Sequence, residues 1–163
     1  MKKKRKMNER GGSVTPKPPV TRRAGMKDAD RIIELLSKLG RPEPRNELNK
    51  NQFAKLIQTY ISEKDKTILV AEADSRVVGI VSLVILPRLN RTTPEAWIPD
   101  FIVDQEYRNR GIGKDLLKEC ISIARRKNCW RIRLETGLSR KEAQRFYLRM
   151  QMKPFALAFT LPL

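Results

Sequence analysis

The sequence contains no histidine and only two cysteines among its 163 residues. Without histidine, neither a Ser-His nor a Cys-His nucleophile can form. Two cysteines alone supply too few soft ligands for a zinc site, and a disulfide framework needs more of them. We therefore expect no metal site, and we expect Cys120 and Cys129 to be small buried thiols.

Long apolar segments are also missing. The longest runs, such as residues 77–86, fall far short of the roughly 20 residues that a membrane-spanning helix needs. The basic start around Lys3 and Arg5 is not followed by an apolar stretch, which argues against a secretory signal peptide. These absences predict a cytoplasmic protein without a membrane partner.

Positive charge, by contrast, is abundant. The chain has 35 Lys and Arg residues against 18 Asp and Glu, which gives a net charge of +17. An excess of this size favours polyanionic partners such as nucleic acid, anionic lipid or a phosphate-rich cofactor. The length and the 40% share of hydrophobic residues nevertheless fit one globular domain with a sizeable core.

The first residues differ in composition from the rest. Residues 1–25 carry nine basic residues and one acid, Glu9, so about half of the charge excess lies there. Three prolines, Gly11-Gly12 and little apolar surface predict a disordered arm over residues 1–19, followed by one domain over residues 20–163. Two interpretations of the arm stay open: a solvated tail, or a segment that binds nucleic acid or a membrane surface.

Apolar periodicity predicts the secondary structure of the domain. The expected elements are a strand at 20–24, a helix that ends at Gly40, a helix at 49–62, a hairpin of 67–73 and 77–86, a strand at 96–103, a helix at 111–127, a strand at 130–135, a helix around 143–150 and a strand at 155–161. The order βααβββαβαβ predicts an α/β (α+β) fold, in which helices cover the faces of a mixed sheet.

The segment from Val103 to Lys114 carries the sharpest functional signal. A strand ends there, a polar turn follows, and a helix begins at Gly111-Ile112-Gly113. The unpaired N–H groups of a helix start attract phosphate, and glycine lets the backbone approach it closely. Arg108, Arg110 and Lys114 add full positive charges. The segment therefore predicts a pyrophosphate site.

Other phosphate motifs fit this segment poorly. A Walker loop would need glycine in place of Arg108 and Ser or Thr in place of Asp115. A dinucleotide fingerprint would need a third glycine in place of Leu116. On the segment alone, an ordinary glycine-containing turn with solvated charges remains the alternative.

Two motifs together resemble one family. The pattern Arg108-x-x-Gly111-x-Gly113 after a strand resembles the acetyl-CoA loop of the GNAT acetyltransferase superfamily, and Ser139–Met152 with Phe146-Tyr147 resembles its last helix. The resemblance spans about residues 20–163. It implies a mostly antiparallel sheet of six to seven strands, about four flanking helices, and acetyl-CoA as the cosubstrate. Residues 83–87 and 144–147 also resemble small-amine acetyltransferases, including those that act on aminoalkylphosphonates.

The resemblance also implies which residues contact acetyl-CoA. The strand before the loop would offer backbone groups to the acetyl carbonyl and the pantetheine, the loop would hold the pyrophosphate, and Ser139 stands where many relatives carry a CoA-contacting asparagine. The implied contact residues are Phe101, Ile102, Val103, Arg108, Asn109, Arg110, Gly111, Ile112, Gly113, Lys114 and Ser139.

The implied chemistry is direct attack of an amine on the thioester in a ternary complex, which needs no nucleophilic side chain. Tyr147 would protonate the departing thiolate, and Asp100, expected on one face with Ile98 and Ile102, would position or deprotonate the amine. For Tyr147 the alternative is a core tyrosine, and for Asp100 it is a buried ion pair with an arginine. Pro99 replaces an acid found in related enzymes.

The function that follows is acetyl transfer to a primary amine, with a small amine as the expected acceptor. Two alternatives remain: a nucleic-acid-associated protein with an acetyltransferase-like domain, and a CoA-binding regulator without turnover. Either a monomer or a homodimer fits the sequence, since residues 155–161 could pair with a second subunit.

Overall fold

The computed structural model describes residues 18–163, so nearly all of the predicted arm lies outside the described residues. The described residues form six strands and four α-helices, together with short 3-10 turns at Met26–Asp28 and Gln105–Tyr107. The strands are β1 Val20–Arg23, β2 Lys66–Ala73, β3 Arg76–Leu86, β4 Glu95–Ile98, β5 Phe101–Val103 and β6 Ile132–Leu134. The helices are α1 Ala29–Leu39, α2 Glu47–Ser62, α3 Ile112–Arg126 and α4 Lys141–Arg149.

The strands form one mixed sheet. Their order is β1-β2-β3-β4-β6, and β5 pairs with β3 next to β4. All pairs are antiparallel except β4 with β6, which run parallel. The predicted α/β class, the mostly antiparallel sheet of six to seven strands and the four helices are therefore confirmed.

Both faces of the sheet are covered by helices. Because side chains alternate along a strand, Leu69 and Ala71 of β2 join the α3 face, whereas Ile68 and Val70 join the α1/α2 face. Helix α1 ends where predicted: Gly40 takes φ +93°, and its N–H donates to the carbonyls of Leu36 and Ser37. Each face thus has its own apolar core.

The cysteines belong to the α3 face and are unpaired. Cys120 is fully buried, and burial raises its thiol pKa to about 12, so it stays neutral and unreactive. Cys129 is half-buried rather than buried, and desolvation raises its pKa as well. Within residues 18–163 we find no group of three or more His, Cys, Asp or Glu side chains placed to hold a metal ion.

Residues 96–103 do not form the single regular strand that alternation predicts. From Trp97 opposite Val84 to Phe101 opposite Val81, β3 advances three residues while the facing chain advances four. The extra residue is a β-bulge at Pro99-Asp100, where proline cannot donate to the ladder. The bulge separates β4 from β5.

The bulge also corrects the predicted side-chain faces. Ile98 packs in the α3 core, whereas Ile102 packs in the α1/α2 core. The expectation that Asp100 shares one face with both isoleucines is therefore wrong, because one inserted residue reverses the alternation. Asp100 lies on the α1/α2 side with Ile102.

The predicted last strand at residues 155–161 is wrong as well: this segment has no regular secondary structure. Its alternating Phe155, Leu157, Phe159 and Leu161 are exposed by 63% to 91%. Alternation of apolar and polar residues shows that a segment suits a half-buried strand, but it does not show that the segment can reach a free sheet edge.

Of the helices in residues 18–163, none combines the length and apolarity that a membrane crossing demands.

Candidate active site

The loop after β5 is anchored to α1 by a buried carboxylate. Asp104 accepts hydrogen bonds from Arg31 Nη2 at 2.5 Å and from Lys38 Nζ at 3.1 Å, and its own N–H donates to the Val78 carbonyl at 2.8 Å. Burial alone would raise the pKa of Asp104, but the bonds from Arg31 and Lys38 bring it below its usual range. The loop therefore starts from a fixed point.

The loop itself presents a run of unpaired amides. In residues 18–163, the first backbone N–H that finds an acceptor after Arg108 is that of Asp115, which donates to the Gly111 carbonyl at 3.1 Å. The N–H groups of residues 109–114 thus have no partner in the described chain. Asn109 at φ +61° and Gly111 at φ +83° turn the backbone so that this run precedes and opens α3. Such a concavity suits an anion.

The two glycines of the loop have different roles. A Cβ built on Gly111 meets nothing within 4 Å, so the space in front of this residue is open. A Cβ on Gly113 would lie 3.4 Å from the ring of Phe146 and 3.8 Å from Val103. Gly111 therefore provides the positive φ and the open approach, whereas a Cβ at Gly113 would make only ordinary van der Waals contact with Phe146 and Val103.

Three cations surround the loop. Arg108 is exposed and its Nε donates to the Val103 carbonyl at 3.2 Å. The Arg110 guanidinium lies 5.0 Å from the centre of the Tyr107 ring, and Lys114 is exposed on the first turn of α3. All three positive charges therefore lie in or next to the segment that carries the unpaired amides, and their contacts with a phosphate stay a prediction.

Strand β5 has one open edge beside the loop. Residues 100 and 104 bond β3, since the Ser82 N–H donates to the Asp100 carbonyl at 2.9 Å and Asp104 bonds Val78. By the alternation of an antiparallel ladder, Ile102 also bonds β3, while Phe101 and Val103 turn their N–H and C=O groups away from it. The expectation that Ile102 offers backbone groups outward is therefore not met.

No strand covers this edge in the described part of the chain. Strand β6 pairs with β4 as far as Ile98 opposite Leu134, and β5 pairs with β3 alone. A split therefore opens between β5 and β6. The buried Glu95 holds β6 to β4 below the split, because it accepts from Arg131 Nε at 2.5 Å and from Arg133 Nε at 2.6 Å.

Tyr147 lies on α4 at the α3 side of this edge. Its ring centre is 6.3 Å from that of Phe101 and 5.3 Å from that of Phe146. Burial raises the pKa of Tyr147 to about 12, against a smaller opposite effect of the nearby Arg140 guanidinium. The phenol is therefore protonated at neutral pH, in keeping with either a proton donor or a core residue.

Asp100 lies at the bulge and faces the opposite side. Its Oδ1 accepts from Arg41 Nε at 2.8 Å and its Oδ2 accepts from Ser82 Oγ at 2.9 Å. Arg41 also donates to the Pro99 carbonyl at 2.9 Å. The ion pair that was the alternative interpretation is thus present, yet Arg41 is half-exposed and Asp100 also lines a cavity.

That cavity has a volume of about 230 Å³ and lies between α1, α2 and the sheet. Ser82 and Asp100 form its polar end, where the Tyr60 hydroxyl has a pKa raised by burial and by the Asp100 charge. Sequence patterns do not reveal Arg41, Ser82 or Tyr60 as site residues, because 59 and 18 residues separate the first two from Asp100.

Arg140 connects the two sides and was also missed. Its guanidinium donates to the Leu39 carbonyl at the end of α1, and its charge acts on Tyr147. Arg41, which binds Asp100, follows two residues after Leu39. Tyr147 and Asp100 are therefore at the same end of the split, on opposite faces. Ser139 lies nearby in an exposed loop, where its carbonyl accepts from the Lys141 N–H at 2.9 Å.

Comparison with known proteins shows the family. Residues 31–152 match the model of the acetyltransferase (GNAT) family. The chain belongs to this family, as the loop and the last helix indicated, and members of the family use acetyl-CoA.

Individual relatives are similar over different lengths. An aminoalkylphosphonate N-acetyltransferase of Salmonella typhimurium is 28% identical over 139 residues, which cover 85% of this chain and 88% of the relative. N-acetyltransferase 8 of Homo sapiens is 31% identical over 106 residues, which cover 64% of this chain and 46% of the relative. The chain spans less than half the length of this protein and of another matched relative, of which 43% is covered.

The fold is shared with solved structures. Aminoglycoside N-acetyltransferase AAC(6')-Iy in complex with CoA superimposes with a TM-score of 0.77 at 14% identity, over 92% of this chain and 97% of that one. At this identity the match supports the fold alone.

Proposed function

We propose that this chain transfers the acetyl group of acetyl-CoA to a primary amine by direct attack in a ternary complex, and that the acceptor is a small amine. One observation carries the proposal: the run of unpaired amides at residues 109–114 opens beside the uncovered edge of β5. That arrangement suits a ligand with a pyrophosphate at one end and amide groups further along.

The residues present fit acetyl-CoA. The amides of residues 109–114 would hold the pyrophosphate, with Arg108, Arg110 and Lys114 around it. The outward groups of Phe101 and the Val103 N–H would bond the pantetheine and the thioester oxygen as an added strand does, while the Val103 carbonyl already accepts from Arg108 Nε. Ser139 stays a candidate contact from the loop before α4. When bound, acetyl-CoA supplies an activated acyl carbon.

The remaining steps fall to this chain's own residues. Asp100, oriented by Ser82 and Arg41, would take the proton that the amine loses as its nitrogen bonds the acyl carbon. An N–H on the open edge of β5 would stabilise the negative charge that develops on the thioester oxygen. As the C–S bond breaks, Tyr147 would give its proton to the sulfur, and both side chains then exchange protons with water.

No nucleophilic side chain is required, in keeping with the buried Cys120 and the missing histidine. Alignment of amine and thioester supplies much of the acceleration, since effective molarities of about 10⁵–10⁸ M are reached in well-oriented pairs. The two proposed proton carriers lie on opposite faces of the sheet, so the reacting atoms would have to lie between them at the split.

A thiol-release assay with acetyl-CoA and a panel of amines tests the proposal. We expect CoA release that depends on the amine and a product whose mass is increased by one acetyl group. Tight CoA binding without amine-dependent release across the panel would contradict catalysis and favour a CoA-binding regulator.

A further inference from the structure

The cavity between α1, α2 and the sheet is apolar along most of its wall. Nine of its thirteen lining residues are Ile, Leu, Phe or Pro. The other four, Arg41, Tyr60, Ser82 and Asp100, include the residues of the polar end described above. A pocket with one carboxylate at an otherwise apolar wall is complementary to one amine on an apolar body.

The charged side chains that line the cavity distinguish it from a binding site for an acceptor that carries a phosphonate or several amines. Arg41 is its single lining cation, and this guanidinium already bonds Asp100 and the Pro99 carbonyl. A phosphate or phosphonate on the acceptor would need free cations, because charge-assisted bonds are what hold such groups. A polyamine or amino sugar would need several acceptors, whereas Asp100 is the one carboxylate in the lining.

The size of the cavity limits the apolar body. A dry cavity of about 150 Å³ holds a benzene molecule. The 230 Å³ here therefore has room for one aromatic ring or a six- to eight-carbon chain, with a short link to the amine. Leu56 at the rim is 61% exposed, so an apolar acceptor would bury a leucine that is otherwise in water.

We propose that the acceptor is a monoamine with an apolar body, such as an arylalkylamine or a medium-chain alkylamine, rather than an aminophosphonate or amino sugar. This inference rests on the proposed function for the reaction, but the cavity alone carries the substrate class. Each methylene that enters the cavity should raise kcat/KM about fourfold, because its burial is worth about 0.8 kcal/mol.

The test compares hexylamine and 2-phenylethylamine with ethylamine, ethanolamine and 2-aminoethylphosphonate as acceptors of the full chain. We expect kcat/KM to favour the two apolar amines by about 10²-fold, the product of four methylene steps for hexylamine over ethylamine. Equal rates, or a preference for the phosphonate, would overturn the inference and leave acetyl transfer intact.

Two variants of α2 sharpen the test. Leu56→Lys places a cation at the cavity rim and should lower kcat/KM for the apolar amines at least tenfold. Leu48→Lys is the matched control, since Leu48 is 67% exposed on the same helix and does not line the cavity. Equal effects of the two variants on hexylamine would contradict the assignment.

A binding readout separates this inference from the reaction. Calorimetric titration with 2-phenylethylamine should show binding with a negative heat-capacity change, weakened by Leu56→Lys and unaffected by Leu48→Lys. Binding of this kind without turnover would support the cavity assignment and contradict the proposed function. If neither binding nor turnover of the apolar amines is seen, the assignment fails.

Discussion

The two faces of the sheet carry different halves of the proposed site. On the α3 face, the loop and the edge of β5 would act through backbone groups: six consecutive amides and the outward groups of Phe101 and Val103. On the α1/α2 face, the cavity would act through side chains that come from separate elements, with Asp100, Ser82 and Arg41 at its polar end. Backbone groups are the same in any sequence, so the first half suits a ligand shared by a whole family.

The second half can change with every substitution in α1 and α2 while the first half is kept. This difference would let members of one family keep the cosubstrate site while the acceptor cavity varies. It also means that variants of the two halves should fail in different ways, which the following expectations use.

The largest effect is expected from Gly111→Asp. The carboxylate would enter the open space in front of the unpaired amides, and φ +83° disfavours any side chain there. Calorimetry should show CoA affinity reduced by about 10³-fold or more. The new carboxylate would occupy the position proposed for the pyrophosphate and would repel its negative charge. Gly25→Asp, also at a glycine with open space around it, is the control. CoA affinity that survives in the first variant would contradict the loop assignment.

Tyr147→Phe keeps the ring that packs on Phe101 and Phe146 and removes the hydroxyl. We expect kcat to fall by about 10²-fold or more while CoA affinity holds, in line with general acid catalysis. Because the pKa of Tyr147 is raised to about 12, the wild-type rate should not fall between pH 7 and 10 through loss of this proton. Tyr107→Phe is the ring-preserving control, and an unchanged rate in Tyr147→Phe would make this residue part of the core.

Asp100→Asn keeps the shape of the side chain but removes its charge. We expect kcat/KM to fall by about 10²-fold at pH 7, and the deficit to shrink as pH approaches the amine pKa of about 10, where the acceptor is already deprotonated. Asp30→Asn is the control, since Asp30 is an exposed partner of Lys50. A loss of thermal stability with normal turnover per folded molecule would show that Asp100 stabilises the fold through its ion pair with Arg41 and takes no part in the reaction.

Asp104→Asn should give the smallest effect on the reaction and the clearest effect on stability. Asp104 joins the loop to Arg31 and Lys38 of α1, and hydrogen bonds to charged groups contribute about 1.5–3 kcal/mol to the free energy of unfolding. Since its folded pKa is lowered, this contribution is present above the unfolded pKa of about 3.9 and is lost as pH falls below it.

Denaturant unfolding of wild type and Asp104→Asn between pH 7 and pH 3 checks this expectation. The difference between the two proteins should be largest at neutral pH and shrink towards pH 3. A difference that does not change with pH would show that the charge of Asp104 does not contribute.

Local sequence predicted the structural elements that carry the backbone half of the proposed site, because its residues are contiguous, whereas their contacts with acetyl-CoA stay a prediction. The loop, the start of α3 and the aromatic pair on α4 all follow from spacing within short segments. The side-chain half depends on contacts across the fold, such as Arg41 with Asp100, and no local pattern encodes them. The bulge at Pro99 was missed because apolar and polar residues were assumed to alternate without interruption along the strand. A strand was also predicted at residues 155–161, where the pattern is present but no partner strand is available in the described part of the chain.

The bulge takes one residue out of the ladder, so the number of residues between β4 and β5 can change there without a shift in register. Deletion of Pro99 would pair Asp100 with Ser82 and Phe101 with Val81, as they already lie, and would leave the backbone groups of Phe101 turned outwards. Deletion of Phe101 itself would move Ile102 opposite Val81 and turn the backbone groups of Ile102 outwards. In a library of single-codon changes, we therefore expect deletions at Pro99 to persist under selection more often than deletions within β5.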